Sequence, residues 1–584
     1  MSTDVSSAPA DTLADRWPIR TWPLAVILFV MAALMVVPAA LVPRTMFHFV
    51  GLMGAPALAA LAAVMWWAVA SRARRPMTFL VPAFVLLPAV GYAVTVYLTN
   101  PPAVILFGLP LPLIAWAVWL LVTPRLAAGP RQLGLLGAIS LSWVLFGLVR
   151  IDGTDADLRP EVRWAWSRTA EDEYLANLPA NAAAPTTEAV VVTPGDWAEF
   201  RGPARDSKCV GIAIATDWAK SPPKLVWKQR IGPGWGAFAV VGNRLFTQEQ
   251  RGSKEAVVCY AADTGGQVWE YAVEARFFEG IAGAGPRGTP TVADGKVYTT
   301  GATGHVTCLD ASSGKKIWSR ELTADCESAV PQWGFAASPL VKNGKVYVCG
   351  CGGTNQKGLV AYDAATGNVA WTAGAATHSY SSAQWETVAG VDQVLLVSDF
   401  GLEAFDPSTG KMLWSDNWFF RGINRVTQPA RVGDTDFVYG TGTMGDQGIR
   451  RVSVNCSSGS CSAKQVWKTR GMKPYFNDGV VFKGHLYGFD DGNFACVELA
   501  TGKQKWKESG YGHGQVLLIA DQGLLLIQAV DGKVALLATN SEEHEELSAF
   551  AAIKGKTWNH PVVARGKLYV RNGEEAACYE LPRK

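Results

Sequence analysis

Residues 308–318 read Cys308-Leu309-Asp310-Ala311-Ser312-Ser313-Gly314-Lys315-Lys316-Ile317-Trp318. The same spacing returns from Ala361 through Gly367 to Trp371 and from Ala404 through Gly410 to Trp414. Two further copies run from Cys259 through Gly265 to Trp269 and from Cys496 through Gly502 to Trp506. In all five the glycine stands six residues after the first position and the tryptophan ten. Copies recur every 40–50 residues or so, roughly the period of propeller blades and solenoid repeats.

Each copy follows a second signal, a tight turn leading into an apolar strand. Asp294-Gly295-Lys296 precedes Val297-Tyr298, Asn343-Gly344-Lys345 precedes Val346-Tyr347, and Arg565-Gly566-Lys567 precedes Leu568-Tyr569. Asn-Gly and Asp-Gly supply the positive φ that two-residue hairpins need. Weaker versions before Leu245, Val394, Phe437, Leu486 and Leu524 bring the hairpin signals to eight. The aromatic residues expected on outer strands also number eight: Trp227, Trp269, Trp318, Trp371, Trp414, Trp467, Trp506 and, in place of tryptophan, Phe550. The last repeat stops after Cys578-Tyr579-Glu580-Leu581, and Trp227 has no blade before it. A strand around Trp227 that completes the last blade closes the ring and removes its exposed edges. The expected fold is an all-β eight-bladed propeller over residues 196–584, preceded by an α-helical membrane domain.

At these residues the chain resembles the pyrroloquinoline quinone (PQQ) repeat family, whose motif pairs an Asp-x-x-Thr-Gly turn with a tryptophan docked on the neighbouring blade. The resemblance implies the propeller fold. Its members include quinoprotein dehydrogenases and non-catalytic relatives such as the outer-membrane assembly propeller.

Residues 22–150 are dominated by Ala, Leu, Val, Phe and Trp. Five stretches, near 22–43, 47–70, 77–98, 103–123 and 133–149, have the length that crosses a hydrocarbon core, roughly 17–25 helical residues. Arg16 and Arg20, then Arg72, Arg74 and Arg75, then Arg125 and Arg131 fall on one side, against Arg44 and Arg150 on the other. By the positive-inside rule, residues 1–21 lie in the cytoplasm and everything after Arg150 lies outside, which suits the inner membrane of a bacterium with the propeller in the periplasm. No Asp, Glu, Lys or Arg stands within a proposed span, as expected of an anchor in the lipid bilayer rather than a transporter. Trp66, Trp67, Trp116 and Trp119 fit helix packing, an interfacial belt, or the flanks of a lipid-quinone site. Five spans before such a propeller also resemble the layout of membrane-bound quinoprotein glucose dehydrogenase.

Residues 151–195 read as a connector. Arg163-Trp164-Ala165-Trp166 suits a bilayer surface, a short charged helix is expected near 168–178, and the Pro- and Ala-rich run 179–187 forms a tether. Ordered structure resumes at Gly195-Asp196-Trp197 and Phe200-Arg201-Gly202-Pro203.

A net charge of +3 with no basic cluster after residue 195 speaks against nucleic acid. Cys259, Cys308, Cys496 and Cys578 share a repeat register with Ala361 and Ala404, so the position asks for a small core residue. Cys456 and Cys461 flank an irregular loop in the fifth blade and are the expected disulfide of an exported domain. Cys349-Gly350-Cys351 is the other notable pair. Quinoprotein alcohol dehydrogenases carry two adjacent cysteines beside their cofactor, whereas here a glycine intervenes, and an unremarkable strand-end pair is the alternative. The pairing of Cys209, Cys326, Cys349 and Cys351 is open. No nucleotide-binding glycine loop, His-Glu-x-x-His helix, Gly-x-Ser-x-Gly elbow or EF-hand loop occurs.

Propeller sites gather where chain segments enter the innermost strands. Here those segments carry Trp235, Arg287, Trp333, Tyr380, Arg425, Asn477, His513 and Asn559. Together they would form an electropositive, stacking-capable cup for a flat ligand bearing carboxylates or carbonyls. The competing reading has them hydrogen-bond neighbouring blades around a water-filled channel. The dehydrogenases of the family hold Ca²⁺ through Glu, Asn and Asp and use an Asp base. Asp478 and Glu386 are the carboxylates near the mouth segments, and neither matches that motif. The function read from the sequence is a membrane-anchored, non-catalytic propeller without an assigned cofactor or metal, binding a protein partner or a small anionic or carbonyl ligand. The alternative is a dehydrogenase that uses PQQ with calcium and passes electrons from a sugar or alcohol to membrane quinone.

Overall fold

The computed structural model describes residues 19–41, 46–71, 73, 75–95, 103–154, 160–178, 188–419, 425–440, 447–457 and 460–584. The chain divides into two units, one of residues 1–167 with 279–282 and one of 168–278 with 283–584. The division falls inside the segment read as connector.

In the first unit the helices are α1 (Trp22–Leu41), α2 (Met46–Val69), α3 (Arg75–Thr95), α4 (Pro110–Val122, led in by a π-turn at Val104–Gly108) and α5 (Ala128–Gly147). Among the described residues four helical runs are long and apolar enough to cross a membrane: Trp22–Leu41, Phe47–Val69, Arg75–Thr95 and Val104–Val122. The expectation of about five is corrected. The stretch near 133–149 does coil into α5, but Pro130, Arg131 and Gln132 open it and Gly134, Gly137, Ser140 and Ser142 dilute its apolar run. An odd span count therefore no longer supports the orientation. Arg16, Arg44, Arg72, Arg74, Asp155 and Asp157 lie outside the described residues.

Inside this unit Trp66, Trp67 and Trp116 are buried against one another, with Trp67 and Trp116 edge to face at 5.0 Å. The Trp67 indole N–H donates to the Met77 carbonyl at 2.8 Å. These tryptophans pack helices together; Trp67 buries its ring and still satisfies its N–H, whereas the buried indole N–H groups of Trp66 and Trp116 have no hydrogen-bond partner in the protein. After α5 a hairpin pairs Val149–Thr154 with Pro160–Trp164. Beyond it the exposed rings of Trp164 and Trp166 stack at 5.2 Å.

The second unit is the eight-bladed propeller. Blade 1 comprises Ala239–Val241, Arg244–Arg251, Lys254–Ala261 and Gln267–Glu274, each strand antiparallel to the next. Blades 2 to 7 repeat this order over residues 291–321, 340–373, 384–417, 430–469, 480–508 and 515–551. Blade 8 has Val562–Ala564, Lys567–Arg571 and Glu575–Glu580, and its outer strand is Lys224–Arg230, with Trp227 opposite Cys578. The N-terminal strand thus closes the ring as the unpaired Trp227 required. Hairpin residues Asp294 and Asn343 have φ of 49° and 50°, followed by Gly295 and Gly344 at 69° and 70°.

The repeat motif acquires a physical account. In blade 2 Cys308 lies between Tyr298 and Trp318 on the flanking strands, and Ala361 lies likewise between Tyr347 and Trp371. Two aromatic rings flank the position, so only a small side chain fits there, and all of Cys259, Cys308, Cys496 and Cys578 are fully buried. Each tryptophan reaches the turn of the following blade. Trp227 donates to the Ala262 carbonyl (2.9 Å), Trp269 to Ala311 (3.1 Å), Trp318 to Ala364 (3.1 Å), Trp371 to Pro407 (3.1 Å) and Trp467 to Leu499 (2.8 Å). Asp310, Asp363 and Asp406 brace those turns by accepting from the backbone N–H groups two and three residues further on. Blade 5 lacks the turn. A long hairpin closed by the Cys456–Cys461 disulfide replaces it, and Trp414 donates instead to Gln393 Oε1 at 2.6 Å.

The connector helix α6 (Ala170–Ala176) starts in a capping box between Thr169 and Asp172. It docks on blade 1. The Tyr174 hydroxyl donates to buried Glu249 at 2.9 Å and accepts from Arg251 at 2.6 Å, while Glu171 takes the Gly252 N–H (2.8 Å) and pairs with Arg276 (2.9 Å). The tether at 179–187 lies outside the described residues.

Candidate functional site at the mouth of the central channel

One end of the channel is filled by the chain itself. Trp197 exchanges backbone hydrogen bonds with Val240 of blade 1, and the Ala198 carbonyl accepts from Val292 of blade 2. Arg205 donates to the Ser338 and Pro339 carbonyls beside blade 3. Arg201 donates to Gly479 beside blade 6, and the Ser207 carbonyl accepts from Leu518 of blade 7. A segment bonded to innermost strands on all sides crosses the axis. Arg201, Arg205 and Ser207 take positive φ to make that crossing. Arg201 and Arg205 are almost fully buried, as guanidinium groups can be when carbonyls and carboxylates surround them. Arg201 faces Asp478 at 3.4 Å, and His560 lies 3.7 Å from the same carboxylate. Burial and the nearby Arg201 charge push the His560 imidazole down to about 3, so it is neutral. Burial pushes the Asp478 carboxyl up against the pull of Arg201.

Above this plug, a belt of hydrogen bonds links each blade to the next. The Ala237 N–H donates to Thr289 Oγ1 (2.9 Å), Thr289 N–H to Ser338 Oγ (2.9 Å), Ser338 N–H to Ser382 Oγ (2.8 Å), Ser382 N–H to Gln428 Oε1 (3.1 Å) and Gln428 N–H to Asp478 Oδ1 (2.7 Å). Side-chain amides complete the circle. Asn477 donates to the Gly514 carbonyl, Gln515 to Trp558 (3.0 Å), and Asn559 to Gly234 (3.1 Å) and Gly236 (2.8 Å). Asn477 and Asn559 are therefore inter-blade braces. So is Arg571, which no sequence signal marked; it is fully buried and joins blade 8 to the Gly232 and Gly234 carbonyls of blade 1.

The eight residues expected at the mouth are distributed unevenly. Arg425 is fully buried and donates to the Ser398 and Trp418 carbonyls over the Trp418 ring, and burial lowers its guanidinium to about 10. Its neighbour Asn424 lies outside the described residues. Arg287 is half-buried, lies 4.5 Å over the Phe277 ring and donates to the Gly283 and Gly285 carbonyls. Both arginines are engaged by backbone carbonyls and by the face of an aromatic ring.

Aromatic rings do converge. Tyr475 lies 4.6 Å from His513, Phe476 lies 6.0 Å from His513 and 4.9 Å from Trp558, and Trp558 lies 5.2 Å from Trp235. The Lys556 ammonium sits 5.2 Å over Trp558 and 5.6 Å over Trp235. Across blades 3 and 4 a second group stacks Trp333 on Tyr380 at 5.3 Å, with His378 edge-on at 4.8 Å. The indole N–H groups of Trp235 and Trp558 are buried yet have no hydrogen-bond partner in the protein. Unpaired buried donors are uncommon, since each forfeits its bond to water. Phe476 and Trp558 were passed over in the sequence for the neighbouring Asn477 and Asn559. The asparagine amides turn to the next blade, while the half-buried rings of Phe476 and Trp558 pack on one another.

The residues present do not fit a calcium-bound quinone. Asp478 is committed to Arg201 and the Gln428 N–H, and Glu386 to Arg431 (2.8 Å) and Gln384 (2.8 Å). Among the described residues no three His, Cys, Asp or Glu side chains are grouped to hold a metal.

The family described as "Outer membrane protein assembly factor BamB" matches residues 221–287 and 279–508. Similar solved structures include BamB from Moraxella catarrhalis, at 16% identity and TM-score 0.46, covering 62% of this chain and 100% of that one. A quinohemoprotein alcohol dehydrogenase from Pseudomonas putida is 14% identical with TM-score 0.48, covering 67% of this chain and 81% of that one. A europium-containing methanol dehydrogenase is 14% identical with TM-score 0.40, covering 66% of this chain and 91% of that one. No curated protein matches the sequence.

Proposed function

Because the propeller belongs to the pyrroloquinoline quinone repeat family, a family with both catalytic and non-catalytic members, we propose that this chain is a membrane-anchored, non-catalytic binding module. The observation that carries the reading is the adjacent pair Trp235 and Trp558, two rings 5.2 Å apart with unpaired indole donors. They offer half-exposed ring faces to a ligand, and their buried N–H groups would gain a partner if the rings shift to admit acceptor oxygens, a carboxylate or a carbonyl on a small molecule or on a partner's chain end. The mouth carboxylates, by contrast, are spent on arginines and backbone. A general base needs a free lone pair within reach of the proton it takes. The anchor reading places the propeller on the extracytoplasmic side of a bacterial inner membrane. The Arg distribution favours it, and so does the disulfide in blade 5, because disulfides persist in oxidising compartments.

Fluorescence titration of the full chain with PQQ plus Ca²⁺, and separately with short peptides bearing a free C-terminal carboxylate, tests the reading. Quenching by carboxylate ligands that disappears in Trp235→Ala and Trp558→Ala supports it. Dye reduction by sugars or alcohols after loading with PQQ and Ca²⁺ would sink it in favour of a dehydrogenase.

A further inference from the structure

Three cysteines from two segments meet in blade 3. Cys349 and Cys351 end its second strand, Lys345–Gly352, where the pairing with Lys357–Asp363 slips out of register. Their Sγ atoms are 3.5 Å apart. Cys351 has φ of 56°, a left-handed residue at the point where the register shifts. Cys326 closes the short helical turn Leu322–Asp325, and a β-carbon on residue 350 would collide with its Sγ. The glycine between the two cysteines is therefore required by a third sulfur, and Cys-Gly-Cys is one corner of a three-thiol cluster.

We propose that Cys349 and Cys351 are a redox-active dithiol that closes to a disulfide by exchange with an incoming disulfide, from a small molecule or from a thiol-disulfide oxidoreductase. Two features of the site point the same way. Cys351 is the least buried of the three, at 9% exposed against 1% for Cys349 and 0% for Cys326, so of the three it lies nearest to solvent. The bond from the Cys349 thiol to Cys351 sulfur favours charge on Cys351 and holds its thiol below the ordinary range, while that of Cys349 is pushed well up. Thiolate character and access together select the attacking sulfur. Cys351 thiolate attacks one sulfur of the incoming disulfide and expels the other as a thiolate. Cys349 then attacks Cys351 Sγ and expels the second. Two S–H bonds are lost and one S–S bond is gained; both electrons and both protons leave on the incoming disulfide, now two thiols. Cys351 Sγ also lies 3.6 Å from the Ser379 carbonyl, next to Tyr380, so closure changes a contact adjacent to the second aromatic group of the mouth.

The test is peptide mapping of the purified full chain after incubation with oxidised glutathione, alkylation and tryptic digestion without reductant. Residues 346–357 carry Cys349 and Cys351 together, and residues 321–342 carry Cys326 alone. The expected product is a 346–357 peptide lighter by two hydrogen atoms, unalkylated, and restored to two alkylations by dithiothreitol. Cys326→Ser should leave that product unchanged. Recovery of 346–357 with both cysteines alkylated, or of a 346–357 peptide joined to 321–342, would overturn the proposal. Because the mass shift is read on folded, full-length protein whose Cys456–Cys461 bond is monitored in the same digest, a loading or folding failure is not mistaken for either result.

Discussion

The indole ring of Trp269 lies against Gly314 of the next blade, where an added β-carbon would stand 2.6 Å from Cε3. The same relation joins Trp318 to Gly367 and Trp371 to Gly410, at 2.7 Å each. The motif's glycine is therefore both a turn residue, with φ of 72–75° in these three copies, and the seat of the preceding blade's tryptophan. Gly314→Ala meets both constraints at once, overpacking and left-handed strain. We expect a loss of about 1–3 kcal/mol, read as a lower midpoint in urea denaturation. Gly344→Ala shares the positive φ but has nothing within 4 Å of the added carbon, so its loss should be clearly smaller. Equal losses would mean that the seat contributes nothing.

Two buried glutamates give the propeller a pH signature. Burial raises Glu255 and Glu403 from the usual carboxylate range to about 7, only partly offset by one backbone N–H each. In the unfolded chain they titrate near 4.3 or so. Between those values the native state binds more protons than the unfolded state, so stability falls as pH rises through this window and levels off above about 7. The neutral His560, held down to about 3, works in the opposite sense below its unfolded value. The comparison is thus with variants that leave His560 alone. Glu255→Gln and Glu403→Gln should each flatten the decline in melting temperature between roughly pH 5 and 7. Unchanged slopes would show that both carboxyls are ionised throughout.

The blades were legible in the sequence because their determinants are local. A Gly-containing hairpin, a small residue opposite a tryptophan and a fixed count of residues all fall within a few dozen positions. The plug was not. Phe200-Arg201-Gly202-Pro203 has no period, and its partners, Ser338, Gly479 and Leu518, lie far along the chain. The segments 475–477 and 558–560 are recognisable in the sequence, but which neighbour faces where depends on carbonyls of the next blade, Gly514 and Gly234, far along the chain, and these take Asn477 and Asn559 into the belt. Arg425 looked like a surface cation because nothing local announces that the Ser398 and Trp418 carbonyls enclose it. The span count failed for a related reason. The length of α5 is readable, but Gly134, Gly137, Ser140 and Ser142 dilute its apolar run below that of the other four.

That reassignment separates binding from bracing at the mouth. Trp235→Ala and Trp558→Ala remove stacking faces and unpaired donors but no inter-blade hydrogen bond of those side chains, so ligand quenching should fall at least about tenfold with little change in melting temperature. Arg425→Ala and Asn559→Ala leave buried carbonyls unpaired. Each should cost about 1–3 kcal/mol while the remaining folded protein binds normally. If Arg425→Ala abolished binding at unchanged stability, the guanidinium would have to be counted as a ligand contact after all.

The docking of α6 on blade 1 makes the last prediction. Tyr174 is buried, and its hydroxyl sits between Glu249 and Arg251, which pair with each other at 3.1 Å, and 3.2 Å from the Tyr260 hydroxyl. Tyr174→Phe keeps the ring but withdraws one partner from two buried charges, for a cost of about 1–3 kcal/mol. The Glu249–Arg251 pair retains its own contact and Tyr260, so blade 1 should survive the change. The cost should therefore fall on the helix alone. Hydrogen exchange of the full chain should show faster exchange over residues 170–176 while residues 254–261 keep their protection. If both segments lost protection together, α6 would be an integral part of the blade. If neither did, Glu171, through Gly252 and Arg276, would be the contact that holds it.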